Sequence, residues 1–278
     1  MREDRIRALL LAPATAIFFV LFVLPLAYFF VISFWRKVLF AMRPDFTFVN
    51  YGQVYDQHLA TLAFTLALAF IVAVLTTALG FVYAYIVRFK AGRWGPALLF
   101  ISLITMFGGY LVKIYAWMTI LGIKGVLNSA LLALGVIDEP LPWLYYNAGA
   151  VVVTLVNFSL PLAILPIYAS MRGITDIEME AARDLGAGAW RSFSDIVVPR
   201  SHVGTIAAFG LTFLLSGGDY LTPQLVGGKV NMIGVQIAAQ FGLIFNWPMG
   251  AAMSFVTLGS SFLVALVAIY LFSQWRPR

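Results

Sequence analysis

The sequence predicts an all-α integral membrane protein with six transmembrane helices and both termini in the cytoplasm. Of its 278 residues, 62% are hydrophobic and 11% are charged, whereas soluble domains are about half apolar and about a quarter charged. So few charges cannot cover a globule of this size, and lipid must therefore form part of its solvent. Long continuous apolar runs predict helices, because a membrane-spanning backbone must satisfy its own hydrogen bonds and barrel strands would alternate in polarity.

Six apolar runs are candidates for membrane spans, since the hydrocarbon core of a bilayer needs about 20 helical residues. In chain order they are Ala8–Phe34, Leu59–Val87, Ala97–Leu121, Ala148–Met171, Val203–Leu215 and Ala251–Phe272. The fifth run is the shortest and is rich in Gly and Thr. The first follows three arginines, but it is longer than the apolar stretch of about 7–15 residues in a secretory signal. We therefore expect it to be an uncleaved first span.

The distribution of the 18 Lys and Arg predicts the orientation. The larger group lies on the side that holds the N-terminus: Arg2, Arg5, Arg7, Arg88, Lys90, Arg93, Arg172, Arg183, Arg191, Arg200, Arg276 and Arg278. The smaller group lies on the opposite side: Arg36, Lys37, Arg43, Lys124 and Lys229. Cytoplasmic loops carry an excess of Lys and Arg, so this asymmetry places both termini inside. The net charge of +6 is then a topology signal, and no nucleic-acid partner is expected.

The chain offers little for catalysis or metal binding. It has no Cys, and its two His do not form a metal-binding motif. Within the spans only Lys113 is clearly ionisable, whereas an intramembrane enzyme would need facing acid and base groups. Gly227-Gly228-Lys229 is not a phosphate-binding loop, because Pro223 stands where that loop needs Gly. We expect no catalytic residue, no metal and no cofactor bound by this chain.

The segment 172–200, between the fourth and fifth runs, carries the densest charge. Thr175 and Glu178 have the spacing of a capping box, which predicts a helix beginning at Asp176. Gly186 predicts the end of that helix. A second short helix, about Ala189–Val197, is predicted to break at Pro199. The segment also contains a spaced pattern: Glu180-Ala181-Ala182, Gly186, Ile196 and Pro199.

This pattern resembles the EAA loop of permease subunits in ABC importers, with Val198 where the family usually has Leu. In that family the loop is a coupling helix that docks into a groove on a separate ATP-binding subunit. The alternative, an amphipathic helix on the membrane surface, is disfavoured because an anionic leaflet repels acidic residues. The resemblance implies the fold of a type I ABC importer transmembrane domain, with 1–58 as a first helix and outer loop and 59–278 as the domain. It assigns ATPase coupling to Asp176, Glu178, Glu180, Ala181, Ala182, Arg183, Gly186, Ile196 and Pro199.

Further segments resemble the spermidine/putrescine-type permeases, and the first permease subunit of that family in particular. They are Lys113–Trp117, Gly125–Asn128, Glu180–Pro199, Leu221–Gly228 and Asn246–Ala252, within a similarity from Phe46 to the C-terminus. The resemblance implies a bacterial inner-membrane protein with a second permease subunit that differs from this one in sequence, so that the pair is expected to be a heterodimer. It also implies two ATP-binding subunits that use ATP and Mg²⁺, and a periplasmic substrate-binding protein.

The expected substrate is a polyamine, and the alternative is an opine, aminoethylphosphonate or another small solute carried by the same type of permease. An ATP-independent secondary transporter is the alternative of a different class. Such transporters often contain inverted repeats and place acidic residues at the membrane midplane. No such repeat is evident here, and the acidic residues cluster in one loop. The sequence therefore favours the importer.

Five residues are candidates for lining a solute pathway. Asp219 and Tyr220 would present a carboxylate and an aromatic face to ammonium groups, although a solvated helix end is an equal alternative for Asp219. Lys113 could pair with Asp219 or with an acid of the partner permease, reach the interface, or bind an anionic substrate. Tyr115 and Trp117 are candidates for a pathway wall, but the interfacial aromatic belt is the favoured interpretation.

The last outer segment, 217–250, is long and contains several glycines. It is predicted to contain a helix within Val230–Phe245 that begins near Asn231. We expect this segment to contact the substrate-binding protein.

Overall fold

The computed structural model describes residues 2–39 and 41–274, with side chains for 10–39 and 41–271. Within these residues the regular structure is helical apart from one two-stranded hairpin, which confirms the all-α class. Arg276 and Arg278, which contributed to the predicted orientation, lie outside the described residues, as do the side chains of Arg2, Arg5 and Arg7. The orientation of the termini stays a prediction.

The first part of the chain forms two helical segments, a hairpin and one long helix. The elements are α1 (Arg2–Phe18), a π-helical turn (Phe19–Val23), α2 (Leu24–Ile32), β1 (Arg36–Val38), β2 (Ala41–Arg43) and α3 (Val49–Phe89). The strands are antiparallel, with Arg36 opposite Arg43. The amide of Asn50 donates to the carbonyls of Ser33 and Trp35 at 2.8 and 2.7 Å. These bonds tie the first turn of α3 to the end of α2, so α3 begins at Val49 rather than at Leu59.

The middle of the chain departs most from the predicted spans. The elements are 3₁₀ turns at Gly92–Trp94, Thr105–Phe107 and Pro142–Leu144, with α4 (Gly95–Ile104), α5 (Tyr110–Leu121), α6 (Val126–Ala133) and α7 (Ala148–Arg172). The single third span predicted over Ala97–Leu121 is wrong, because Gly108 and Gly109 are extended, with ψ of 127° and 137°. Two adjacent glycines gain little from staying helical and leave the helix at low conformational cost.

The last part begins with the charged segment. The elements are α8 (Asp176–Asp184), α9 (Ala189–Ser192), a π-helical turn (Phe193–Val197), α10 (Val198–Gly217), α11 (Leu221–Val226), α12 (Ile233–Gly242) and α13 (Trp247–Gln274). The predicted break at Pro199 is wrong: the chain stays helical there. The backbone N–H of Val198 bonds to the carbonyl of Phe193, a shifted register that accommodates the missing donor and the ring of Pro199 in the first turn of α10.

Six helical segments are long and apolar enough to cross a membrane, which confirms the predicted number. Among the described residues they are Leu10–Ile32, Val49–Phe89, Tyr110–Ala133, Ala148–Arg172, Ala189–Gly217 and Trp247–Leu271. The fifth is longer than the predicted Val203–Leu215, since it includes the turns that precede α10. The third lies later in the chain than predicted, after the break at the two glycines.

The chain forms two compact units, one of Met1–Ala60 with Gln236–Leu258 and the other of Thr61–Val235 with Gly259–Arg278. The first unit contains contacts between aromatic rings. Phe29 stacks on Trp247 at 6.2 Å between ring centroids, and Phe30 packs edge to face against Phe255 at 5.1 Å.

In the second unit small residues allow helices to approach closely. Ala84 of α3 packs with Ala163 and Ile167 of α7 and with Ala208 of α10 in one buried cluster. A side chain at Gly204 would collide with the backbone carbonyl of Pro166. Close backbone contact of this kind is how membrane helices gain packing energy, because lipid supplies no hydrophobic drive between them.

Candidate functional site

The charged segment begins with the predicted capping box. The backbone N–H of Thr175 donates to Glu178 Oε2 at 2.9 Å, and the N–H of Glu178 donates to Thr175 Oγ1 at 3.3 Å. The bond from the Thr175 backbone, followed by the charge of Arg200, holds the pKa of the Glu178 carboxyl below its ordinary value of 4.5. The helix ends at Asp184, and Gly186 supplies the predicted stop just beyond it, with a φ of +82° in the left-handed conformation that favours glycine. The capping box at its start and the left-handed glycine after its end therefore define the two ends of α8.

Two arginines from other helices anchor α8 to the bundle. Arg88, at the end of α3, donates to the carbonyl of Ile174 at 2.7 Å and to Asp176 Oδ1 at 3.0 Å. Arg200, in the first turn of α10, pairs with Glu178. Sequence reasoning treated both arginines only as topology signals. The Arg88–Asp176 pair joins positions 88 residues apart, and nothing in the local pattern marks it, whereas Arg200 directly follows the motif proline.

One face of the segment packs on the bundle. Met179 and Ile196 pack against a buried cluster that includes Met171, Ile174 and Val197. The predicted coupling residue Ile196 thus holds the second half of the segment against the spans, and Pro199 lies partly buried beside it.

The opposite face is exposed. Glu180, Ala181, Arg183 and Gly186 are exposed, and Ala182 is half-buried. Sequence reasoning missed the exposed apolar side chains that accompany them: Ile177, Leu185 and Trp190 are 76%, 88% and 77% exposed. The sequence did contain a signal for them, since they are large apolar residues within a charged segment. Exposed apolar groups with a polar rim are typical of protein-binding surfaces.

A cavity of about 430 Å³ lies beside this exposed face. Arg88 and Tyr85 of α3 form one wall, and Glu180 and Arg183 of α8 form another. Asp176 also lines the cavity, which therefore brings three predicted coupling residues next to Arg88, a residue that the sequence had marked only as a topology signal. The described ion pairs do not include Glu180 or Arg183, so both are available to a partner.

A second group of polar residues lies at the start of α11. Asp219 accepts hydrogen bonds from the N–H groups of Leu221 and Thr222 at 3.3 and 3.2 Å. The hydroxyl of Tyr110, the first residue of α5, donates to Asp219 Oδ1 at 2.5 Å and lies 2.8 Å from the hydroxyl of Thr222. Asp219 is thus an engaged, half-buried carboxylate, and the neighbouring Tyr220 is 42% exposed. The sequence pattern contained no signal for Tyr110.

Lys113 lies one turn after Tyr110 on α5. Its Nζ is 5.4 Å from the centroid of the Phe158 ring, and that ring is 4.4 Å from the Tyr110 ring. The suggested pairing of Lys113 with Asp219 does not occur among the described ion pairs.

The two aromatic candidates on α5 have different surroundings. Tyr115 is 55% exposed. Trp117 packs against the buried cluster that contains Ile114 and Leu121. Trp117 therefore contributes to the interior of the unit, whereas Tyr115 lies at its surface, and the place of either residue in a pathway stays a prediction.

Comparisons with known proteins agree with this architecture. A family model described as the inner membrane component of binding-protein-dependent transport systems matches residues 89–276. The chain is 34% identical over 233 residues to the spermidine/putrescine transport system permease protein PotB of Escherichia coli, covering 83% of this chain and 82% of the relative.

Two solved structures share the fold. One is a bacterial ABC transporter involved in the import of the acidic polysaccharide alginate, with a TM-score of 0.76 and 13% identity over 99% of this chain and 98% of that chain. The other is a bacterial alginate ABC transporter in complex with a periplasmic protein bound to alginate pentasaccharide, with a TM-score of 0.73 and 14% identity over 96% and 93% of the two chains. The chain therefore belongs to the multi-pass inner-membrane permease components of binding-protein-dependent ABC importers, which are transport subunits and not enzymes.

Proposed function

We propose that this permease moves a polyamine of the spermidine/putrescine class across the inner membrane, and that the segment 172–200 couples it to a separate ATP-binding subunit. The coupling proposal rests on one observation: α8 is anchored to two membrane helices by Arg88 and Arg200, while its other face exposes apolar and charged groups. The substrate proposal rests on similarity to PotB over most of both chains.

The exposed face has the chemistry of a docking surface. Ala181 is small and leaves the helix thin enough to enter a groove, with Glu180 and Arg183 beside it for charge-assisted hydrogen bonds. Ile177 and Leu185 would bury apolar surface against the partner. Such a combination of apolar centre and charged rim is typical of specific interfaces.

The anchors give the docking helix a mechanical role. A displacement of α8 would pass through Arg88 to α3 and through Arg200 to α10, because these two arginines pair with carboxylates of α8. Helical continuity from Ala189 to Gly217 adds a direct connection to the fifth span. ATP binding in the partner would thereby shift two spans together and change which side of the bundle is open.

The remaining parts of the importer follow from the family. A second permease subunit would complete the pathway, and the ATP-binding subunits would hold ATP and Mg²⁺. A periplasmic binding protein would deliver the substrate, and the segment 217–250, with α11 and α12, would receive it.

The test is reconstitution of the complete importer, with its binding protein, second permease and ATP-binding subunits, in lipid vesicles. We expect spermidine or putrescine to stimulate ATP hydrolysis and to accumulate inside the vesicles only when ATP is present. Stimulation of ATP hydrolysis by aminoethylphosphonate, without stimulation by spermidine or putrescine, would contradict the polyamine assignment. Uptake without the ATP-binding subunits would contradict the importer mechanism for this chain.

An anionic solute is the second candidate, and Lys113 is the observation that favours it. An ammonium group within a span is costly and commonly marks a binding function. No carboxylate pairs with Lys113 among the residues whose side chains are described. A carboxylate or phosphonate of the solute would supply the missing partner.

A further inference from the structure

Lys113 places a cation against an aromatic ring inside the second unit. Its Nζ lies 5.4 Å from the centroid of Phe158, within the distance of about 6 Å at which an ammonium group is attracted to a ring face. Phe158 lies 4.4 Å from the ring of Tyr110, whose hydroxyl is bonded to Asp219. A chain of contacts therefore connects the ammonium of Lys113, through the rings of Phe158 and Tyr110, to the carboxylate of Asp219.

The broken third span allows this arrangement. α5 begins at Tyr110, directly after the extended residues Gly108 and Gly109. The stem of Lys113 folds back over the break, with its Cε 3.5 Å from the position that a Cβ of Gly108 would occupy. Non-helical backbone within a membrane is tolerated where it is buried in protein or lines a water-filled cavity. Lys113 is only half-buried, which fits the edge of such a cavity.

The ring face is a weak partner for an ammonium group compared with a carboxylate. A lysine held only in this way can leave without exposing an unpaired acid, because Asp219 keeps its hydrogen bonds to Tyr110 and to the start of α11. A second ammonium group could take its place on the ring with no change in the charge of the site. The geometry is that of an exchangeable cation site.

We propose that the face of Phe158, together with Tyr110, is a binding subsite for an ammonium group of the substrate, and that Lys113 fills it as a tethered competitor when substrate is absent. The inference rests on the polyamine function proposed above and deepens it. Lys113 then does not bind the substrate but is displaced by it. The carboxylate of Asp219, which is bonded to the Tyr110 hydroxyl, adds a negative potential that attracts the incoming cation.

The test is spermidine binding to the complete permease–ATPase complex in lipid nanodiscs, with the binding protein left out so that its own affinity does not dominate. Lys113→Met keeps the length of the side chain and removes its charge. We expect this variant to bind spermidine about fivefold more tightly than the wild type, because the competitor is lost. Lys124→Met, which removes an exposed lysine from the loop after α5, is the matched control and should bind as the wild type does.

The ring is tested separately. Phe158→Leu should weaken spermidine binding about fivefold, whereas Phe158→Tyr, which keeps an aromatic face, should leave it nearly unchanged. Both variants change the same position and differ in whether an aromatic ring is kept. If Phe158→Leu misfolds, the comparison among Phe158→Tyr, Lys113→Met and the wild type still tests the proposal.

The outcomes separate the subsite from the function. Weaker or unchanged spermidine binding by Lys113→Met, or no binding by this variant and the wild type alike, overturns the tethered competitor. If vesicles containing the same wild-type complex still accumulate spermidine, the polyamine function stands without the subsite. If they accumulate aminoethylphosphonate and Lys113→Met abolishes this, both proposals fall and Lys113 is an anion ligand.

Discussion

The segment around α8 and the group around Asp219 each contain a carboxylate bonded to backbone N–H groups, but the other partners of the two carboxylates differ. In both, a carboxylate accepts backbone N–H bonds near the start of a helix: Glu178 from Thr175, and Asp219 from Leu221 and Thr222. At α8 arginines from other helices complete the site. At Asp219 the additional partner is the neutral hydroxyl of Tyr110.

The difference indicates two kinds of task. Ion pairs between helices connect α8 to α3 and α10, which suits the proposed transmission of force. A neutral hydroxyl orients Asp219 without neutralising its negative charge, and the ion pairs among the described residues do not include Asp219. This arrangement suits attraction of a cation. Four substitutions test this comparison, from the largest expected effect to the smallest.

Glu180→Lys should reduce ATP-driven uptake to near background and remove substrate stimulation of the ATPase. The exposed carboxylate lies on the proposed docking face, and reversal of its charge would place two cations, the introduced ammonium group and the guanidinium of Arg183, at the same contact. Uptake and ATP hydrolysis are measured in the reconstituted importer. Glu139→Lys makes the same change at an exposed acid elsewhere and should have little effect. Full uptake by Glu180→Lys would refute docking through this face.

Arg88→Glu should lower uptake about tenfold while the complex still assembles, because α8 would lose its anchor to α3 and gain a repulsive contact with Asp176. Combining it with Asp176→Arg restores the pair with opposite polarity and should recover part of the uptake. Arg93→Glu, which changes a cation in the turn after α3 that lies outside the described ion pairs, is the control. If the double variant is no better than Arg88→Glu, the anchor is not an ion pair between these residues.

Tyr110→Phe should lower spermidine uptake about fivefold, because a hydrogen bond to a charged carboxylate is lost while the ring that faces Phe158 is kept. The measurement is the uptake rate at saturating binding protein. Tyr55→Phe removes the hydroxyl from an exposed tyrosine of α3 and should not change the rate. A rate equal to that of the wild type would show that orientation of Asp219 does not limit transport.

Thr175→Ala should have the smallest effect, about a twofold loss of uptake, because only the side-chain bond of the capping box is lost while the backbone bond to Glu178 and both arginine anchors remain. Amide exchange in α8 should become about fivefold faster.

The stabilisation by ionised Glu178 has a definite direction with pH. Folding lowers its pKa, so the contribution is present above the ordinary value of 4.5 and is lost as the pH falls through the lowered value. Thr175→Ala keeps the backbone N–H that contributes most to lowering this pKa, so the pH dependence should persist in the variant. Unchanged amide exchange would argue against the cap.

Local patterns predicted the local structure well. The capping box at Thr175 and Glu178, the stop at Gly186 and the number of spans were all correct, because each depends on neighbours within about one helical turn or on the apolarity of one run. The errors arose where a local rule has two solutions. The pair Gly108-Gly109 is compatible with a continuous flexible helix or with a break in it. Proline can likewise end a helix or occupy its first turn, and Pro199 does the latter.

The sequence by itself determined that lipid surrounds this protein, that six helices can cross the membrane, and where α8 begins and ends. It also contained the motif that assigns the chain to its family. Each of these properties is carried by composition, by a continuous run or by a fixed short spacing.

Only the tertiary structure decided which distant groups meet: Arg88 with Asp176, Tyr110 with Asp219, and Lys113 with Phe158. These pairs depend on how helices pack, and packing is set by the combined shape of many side chains such as the close approach at Gly204. No single spacing in the sequence encodes that shape. The residues that anchor the proposed docking helix and flank the proposed cation site could therefore be identified only in the assembled structure.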